Sequence, residues 1–110
     1  VADMNTRHFL EFEWGECAIR EQDGYVQIER SVFEPAAATN SMLLTGFVGD
    51  DETGYERFDE LHVERAYDPE LVEALLARAG LRVEGRYDSF TLSPPGPAAQ
   101  RIFWAARKDV

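Results

Sequence analysis

Between Tyr25 and Phe33 apolar and polar residues alternate: Val26, Ile28 and Val32 fall on one side of an extended chain, and Gln27, Glu29 and Ser31 on the other. That period of two marks a half-buried strand with Val26, Ile28 and Val32 facing inward. Asp23-Gly24, immediately before it, suits a tight hairpin turn that pairs this strand with a shorter one near Cys17 to Arg20. Ser41 to Val48 is apolar on both faces, Gly49-Asp50-Asp51-Glu52-Thr53-Gly54 interrupts it as an acidic loop, and another strand follows from Tyr55 to about Arg65. Four strands joined in this way predict an antiparallel meander.

The period then changes. Asp68 is a helix-capping type, Pro69 suits the first helical position because its missing N–H costs nothing there, and Glu70 complements the positive end of the helix dipole. Leu71, Val72, Leu75, Leu76 and Ala79 form one apolar stripe, and Gly80 supplies a left-handed stop. Leu81, Val83 and Tyr87 continue as a strand, Pro94-Pro95-Gly96-Pro97 breaks the chain, and Arg101 to Lys108 forms the last strand. Within it, Ile102-Phe103-Trp104-Ala105-Ala106 is apolar at every position, as in a strand buried on both faces in the middle of a covered sheet. One helix covers only one face. Either the meander packs over the other, or part of the partner structure lies outside the chain.

At the start, Val1 and Ala2 lead into Asp3-Met4-Asn5-Thr6, the tail end of a strand followed by turn and capping types. From Thr6 to Trp14 the residues Phe9, Leu10, Phe12 and Trp14 mix helical and alternating spacing, which reads as a short helix or an irregular stretch. The fold class is α+β: an antiparallel β-meander followed by a helix and two C-terminal strands.

Composition narrows the function. A chain of 110 residues with 45% hydrophobic and 29% charged residues is one ordinary folding unit. Its 11 Lys and Arg against 21 Asp and Glu give a net charge of −10, which repels phosphate backbones and anionic membrane surfaces. Nucleic acid and membrane are thereby excluded as partners. No apolar run approaches the roughly 20 residues of a bilayer span, no signal-peptide pattern opens the chain, and a cytoplasmic setting is expected. Cys17 has no second cysteine to pair with, and with two histidines it makes no zinc site. No G-x-S-x-G or comparable constellation supports a hydrolase.

Asp3-Met4-Asn5-Thr6 after an apolar strand, His62-Val63-Glu64-Arg65-Ala66-Tyr67 leading into Leu71 to Gly80, and Leu81 to Asp88 followed by Ser93-Pro94-Pro95 and Arg101 to Lys108 form a recognisable series. It resembles the C-terminal half of a class I S-adenosylmethionine-dependent methyltransferase, a Rossmann-like fold. The resemblance implies that residues 1–13 are the end of the fifth strand and a connector, 14–65 an antiparallel insertion on the acceptor side, and 66–110 the last helix with the sixth and seventh strands. In that family S-adenosylmethionine is held by a glycine-rich turn at the ends of earlier strands. No G-x-G-x-x-G occurs here, so the resemblance implies that the cofactor-binding half is absent. No cofactor is expected to bind this chain tightly, and the chain alone is expected to be inactive. The partner implied is a small-molecule methyl acceptor.

Candidate acceptor-binding residues follow from the same resemblance. Asp3, Asn5 and Thr6 would sit at a strand's carboxyl end, where ligands gather in open α/β sheets; as capping types they equally suit a turn. His62, between Glu60 and Glu64 on one strand face, is a candidate proton acceptor or one half of a solvated ion pair. Arg65 and Tyr67 flank the entry to the helix, where Tyr67 also suits a hydrophobic staple. Trp14, with Phe9 and Phe12, could line an apolar site or a core. Cys17 reads as a small apolar filler, and Asp50 to Glu52 as a solvated turn rather than a calcium loop. The competing function is a stand-alone α+β module for small-ligand binding or dimerisation. In either case the exposed strand edge and apolar surface predict a homodimer.

Overall fold

The computed structural model of the chain describes residues 1–109. In chain order the elements are β1 (Ala2–Asn5), a π-helical segment (Phe9–Glu13), β2 (Cys17–Gln22), β3 (Tyr25–Glu34), β4 (Thr39–Asp50), β5 (Gly54–Arg65), α1 (Pro69–Arg78), β6 (Leu81–Asp88) and β7 (Arg101–Lys108). They form two compact units, one of residues 1–13 with the residues from Arg65 onward, the other Trp14–Glu64. The mixed α/β character with antiparallel strands and few helices is as the periodicity indicates.

In the first unit β7 lies between β1 and β6 and runs antiparallel to both. The five-residue apolar run therefore does sit in the central strand, but its two sides differ. Ile102 and Trp104 are 5% and 1% exposed, on the side where the Trp104 indole meets α1. Phe103 and Ala105, on the opposite side, are only half-buried. One helix covers one face, and the full burial suggested by the run is met there alone.

α1 begins and ends where its residues dictate. Pro69 opens it, the carbonyl of Asp68 accepts N–H bonds from Leu71 and Val72 at 3.0 and 3.2 Å, and Gly80 leaves it at φ +82°. Asp68 takes the capping position with extended backbone, yet its side chain makes no capping hydrogen bond. The carboxylate contributes there only as a charge near the helix dipole.

The second unit is a four-stranded sheet in the order β2-β3-β4-β5, with β3 antiparallel to both β2 and β4. Gly24 at φ +76° makes the β2–β3 turn. In the second half of β3 the inward face is the reverse of the one its alternation suggests, while from Tyr25 to Glu29 both faces are half-buried. Tyr25, Gln27, Glu29, Ser31 and Phe33 pair with Val48, Gly46, Leu44, Met42 and Asn40, and Asn40, Met42 and Leu44 are buried, whereas Val32 is 63% exposed. The partner strand decides the matter: β4 buries Asn40, Met42, Leu44 and Gly46, and antiparallel pairing puts the odd-numbered residues of β3 from Gln27 to Phe33 beside them. The polar members are accommodated by bonding one another, Tyr25 hydroxyl to Gln27 and Gln27 amide to Glu29 at 2.7 Å. Cys17, expected as an apolar filler, is exposed on edge strand β2.

Candidate functional site

Because β1 and β6 both run antiparallel to β7, their carboxyl ends point to the same edge of the sheet, Asn5 opposite Arg101 and Asp88 opposite Ile102. That edge is where the side chains with chemistry gather in the first unit.

Asp3 is exposed, its carboxylate 3.6 Å from Arg101 Nε. Asn5 is half-buried as the last residue of β1. Thr6 is buried and bonded through every polar group: its N–H donates to the Gln100 carbonyl at 3.0 Å, and its hydroxyl donates to the Ala99 carbonyl at 2.5 Å. The hydroxyl also accepts the Phe9 N–H at 3.1 Å, and the Thr6 carbonyl accepts the Leu10 N–H at 3.1 Å. Thr6 therefore clamps the exit of β1 to the segment before β7 and starts the π-helical turn.

Arg65 and Tyr67 are exposed on either side of buried Ala66. Arg86 lies 3.6 Å from Glu70 and 2.7 Å from Glu73, so the first turn of α1 stands beside the second half of β6. The 65–68 junction thus enters the helix from the same edge. Tyr67 lines an apolar cavity of about 230 Å³ with Val72, Leu75 and Leu76. Its relation to Val72, one residue before the cap and four into the helix, is that of a hydrophobic staple.

Trp14 and His62 lie in the second unit. Trp14 is half-buried at its start, and His62 on β5 places Nε2 2.9 Å from Glu60 Oε2 on the exposed strand surface. The acidic loop is a self-satisfied turn, in which one Asp50 oxygen accepts from the Glu52 and Thr53 amides and the Thr53 hydroxyl at 2.9, 2.6 and 2.8 Å. The Thr53 bonds come first in holding the Asp50 carboxyl below its ordinary pKa. Among the described residues no three His, Cys, Asp or Glu side chains converge as metal ligands. No helix among them is long and apolar enough to cross a membrane.

Two arrangements escape the sequence reading. His8 Nε2 is 3.0 Å from Glu13 Oε1, and the other Glu13 oxygen accepts the Gln100 amide, which makes a braced imidazole–carboxylate pair one turn beyond β1. A spacing of five residues matches a π turn, not an α turn, so helical periodicity does not reveal it. At the end of β6, Phe90 is 88% exposed in the left-handed region at φ +56°, its ring 5.4 Å from that of Phe103.

No protein-family model matches the chain. A curated protein of Geobacillus sp. (strain WCH70), which carries a provisional methyltransferase name, is 37% identical over 65 residues, 59% of this chain and 26% of its own length. A crystal structure of an S-adenosylmethionine-dependent methyltransferase from Clostridium acetobutylicum ATCC 824 superposes with a TM-score of 0.79 at 28% identity, covering 96% of this chain and 42% of that one. The CcbJ methyltransferase from Streptomyces caelestis shares the fold, with a TM-score of 0.66 at 16% identity over 98% of this chain and 42% of its own. This chain is therefore similar to S-adenosylmethionine-dependent methyltransferases along nearly its whole length, and spans about a quarter of the curated relative and less than half of each of these structures.

Proposed function

We propose that this chain is the acceptor-side, C-terminal portion of an S-adenosylmethionine-dependent methyltransferase that acts on a small molecule. The observation that carries the reading is the superposition at 28% identity over 96% of the chain. The strand order β1-β7-β6, with β7 antiparallel to its neighbours, supports equating these strands with the family's fifth, seventh and sixth. The compact unit Trp14–Glu64 supports assigning residues 14–65 to an acceptor-side insertion, with 66–110 as the last helix and strands.

The residues present do not fit the cofactor. The three-stranded sheet has no two adjacent parallel strands, so it lacks the crevice between parallel strand ends in which nucleosides bind, and the sequence has no glycine-rich phosphate-type turn. The chain's contribution is to the acceptor: in the first unit Asp3, Asn5, Arg65 and Tyr67 orient it and exclude water, with Thr6 fixing the exit of β1 on which Asp3 and Asn5 stand. Trp14 and His62 are the acceptor-binding candidates of the second unit. A proton released by a hydroxyl or amine acceptor goes to a carboxylate-held imidazole, for which the first unit offers His8 with Glu13 and the second His62 with Glu60.

Calorimetric titration with S-adenosylmethionine tests this. The chain alone is expected to bind no more tightly than weakly, and a polypeptide extended through the coding sequence upstream of Val1 to bind and to transfer methyl groups. Micromolar binding by these residues alone, or an upstream sequence without a glycine-rich strand-turn-helix, overturns the reading.

A further inference from the structure

The two imidazole–carboxylate pairs differ in how they are held. The side chains of His8 and Glu13 are 30% and 34% exposed, against 50% and 54% for His62 and Glu60 on β5. Both Glu13 oxygens are engaged, one with His8 Nε2 at 3.0 Å and the other with the side-chain amide of Gln100. Gln100 is itself fixed at the entry to β7, where its backbone carbonyl accepts the Thr6 N–H at 3.0 Å. Glu11, the other acid of the π-helical segment, is drawn to Arg7 at 3.3 Å. Glu13 is thus reserved for His8 and braced from the far side by a second strand.

A carboxylate only accepts hydrogen bonds, so Nε2 carries the ring proton. The lone pair is left on Nδ1, which has no hydrogen-bond partner among the described residues. An imidazole oriented by an acid in this way takes a proton at one defined atom, and the acid stabilises the imidazolium that results. The Phe12 ring lies beside it, with centroids 5.4 Å apart and planes tilted by 49°, and Phe12 is 69% exposed. An aromatic side chain open to water next to a poised base offers a flat apolar contact to the group that delivers the proton.

We propose that His8 accepts the proton of a phenolic methyl acceptor whose ring packs on Phe12, with Glu13 fixing the tautomer and Gln100 positioning Glu13. The inference rests on the transferase reading and names the class of its acceptor. The proton passes from the phenolic oxygen to Nδ1: the O–H bond breaks, its electron pair stays on the oxygen that is to be methylated, and an N–H bond forms. A phenol suits such a base because its hydroxyl ionises near pH ~10, as that of tyrosine does, whereas an aliphatic hydroxyl is much less acidic. An amine brings its own lone pair and depends less on a base held at the reacting atom.

Phenol itself is the first probe, titrated into this chain while the imidazole and aromatic resonances are followed by nuclear magnetic resonance. Phenol is expected to bind in the millimolar range and to shift His8 and Phe12, with cyclohexanol weaker and with Phe12→Ala and His8→Asn each weakening phenol about threefold to tenfold. Circular dichroism checks that each variant folds. In the polypeptide extended upstream of Val1, His8→Asn is expected to lower kcat for phenol methylation about 10²–10⁴-fold with KM within about threefold. Free imidazole should restore part of the rate to His8→Ala, which repair of a structural defect would not do. Gln100→Ala is expected to lower kcat about tenfold, again with little change in KM. Phenol shifts that spare His8 and Phe12, a kcat in His8→Asn within about threefold of wild type, no rescue by imidazole, or methylation of amines but not of phenol each overturns the proposal and leaves the transferase reading standing. An extended wild type that neither binds S-adenosylmethionine nor transfers methyl groups overturns that reading and the proposal with it.

Discussion

Arg86 reaches from β6 to Glu73 on α1 with two hydrogen bonds, at 2.9 and 2.7 Å, and the same carboxylate accepts the indole N–H of Trp104 at 3.2 Å. Trp104 is the most buried side chain of the first unit, so this one acid both fastens the helix to the sheet and satisfies the polar atom of the core's largest residue. Glu73→Ala leaves a buried indole donor without a partner, and the expected cost is about 1–3 kcal/mol. Glu73→Gln keeps an acceptor for the indole and should cost clearly less. Urea midpoints decide it; equal losses would mean that only the charge on Glu73 matters.

The same bonds set a pH dependence. The Arg86 guanidinium, above all by its hydrogen bonds, holds the Glu73 carboxyl below its ordinary value of 4.5, and the Trp104 N–H adds to this. A depressed folded pKa means that the unfolded chain binds more protons in the window between the two values. The contribution to stability is therefore complete above 4.5 and is lost as pH falls through the folded value. Acidification also relieves the repulsion of a chain with net charge −10, so the difference between wild type and Glu73→Gln is the quantity to follow. That difference is expected to be constant near neutral pH and to shrink below 4.5. A difference that stays constant into strong acid would show that the Glu73 carboxyl is not depressed.

Asp68 makes a smaller prediction than its position suggests. A capping side chain that bonds the first-turn amides is typically worth about 1 kcal/mol, but Asp68 makes no such bond. Only its charge near the helix N-terminus remains, worth roughly 0.3–1 kcal/mol at an exposed site and less in salt. Asp68→Ala should therefore cost no more than about 0.5 kcal/mol at physiological ionic strength, and Asp68→Asn about the same. A loss above about 1 kcal/mol in the Ala variant alone would show that the side chain caps in solution.

Legibility followed the range of the determining interaction. α1 carries its start and stop locally in Pro69 and Gly80, and β7 carries its centrality in five consecutive apolar residues, so both could be read from the chain. The inward face of β3 could not, because it depends on which residues of β4 lie opposite. His8 and Glu13 meet through a π turn, which has no apolar period of its own. Glu73 was visible only as an acid interrupting the stripe between Val72 and Leu75, and its partner lies 13 residues away across a turn. Of the candidate site, Asp3, Asn5 and Thr6 were legible as residues at a strand end, but the clamp that Thr6 forms required knowing that residues 99 and 100 return beside it.

Gly46 provides a prediction whose sign is the test. It lies in β4 beneath the ring of Phe58, which itself stacks on Tyr25 with centroids 6.4 Å apart, and a Cβ on Gly46 would overlap the Phe58 ring carbons. Its backbone is ordinary extended strand, where glycine is a poorer choice than alanine for entropic reasons, so local propensity alone predicts that Gly46→Ala stabilises. The close approach predicts the reverse: the ring must move out of its packed position, at a cost of about 1–3 kcal/mol. Phe58→Val removes the obstacle while losing the ring's own burial. In the double variant the methyl group should be tolerated, giving a coupling energy of about 0.5–3 kcal/mol between the two substitutions. Urea denaturation of the four proteins measures it. A stabilised Gly46→Ala, or strictly additive losses, would mean that the ring does not rest on Gly46 and that the glycine has no packing reason to be there.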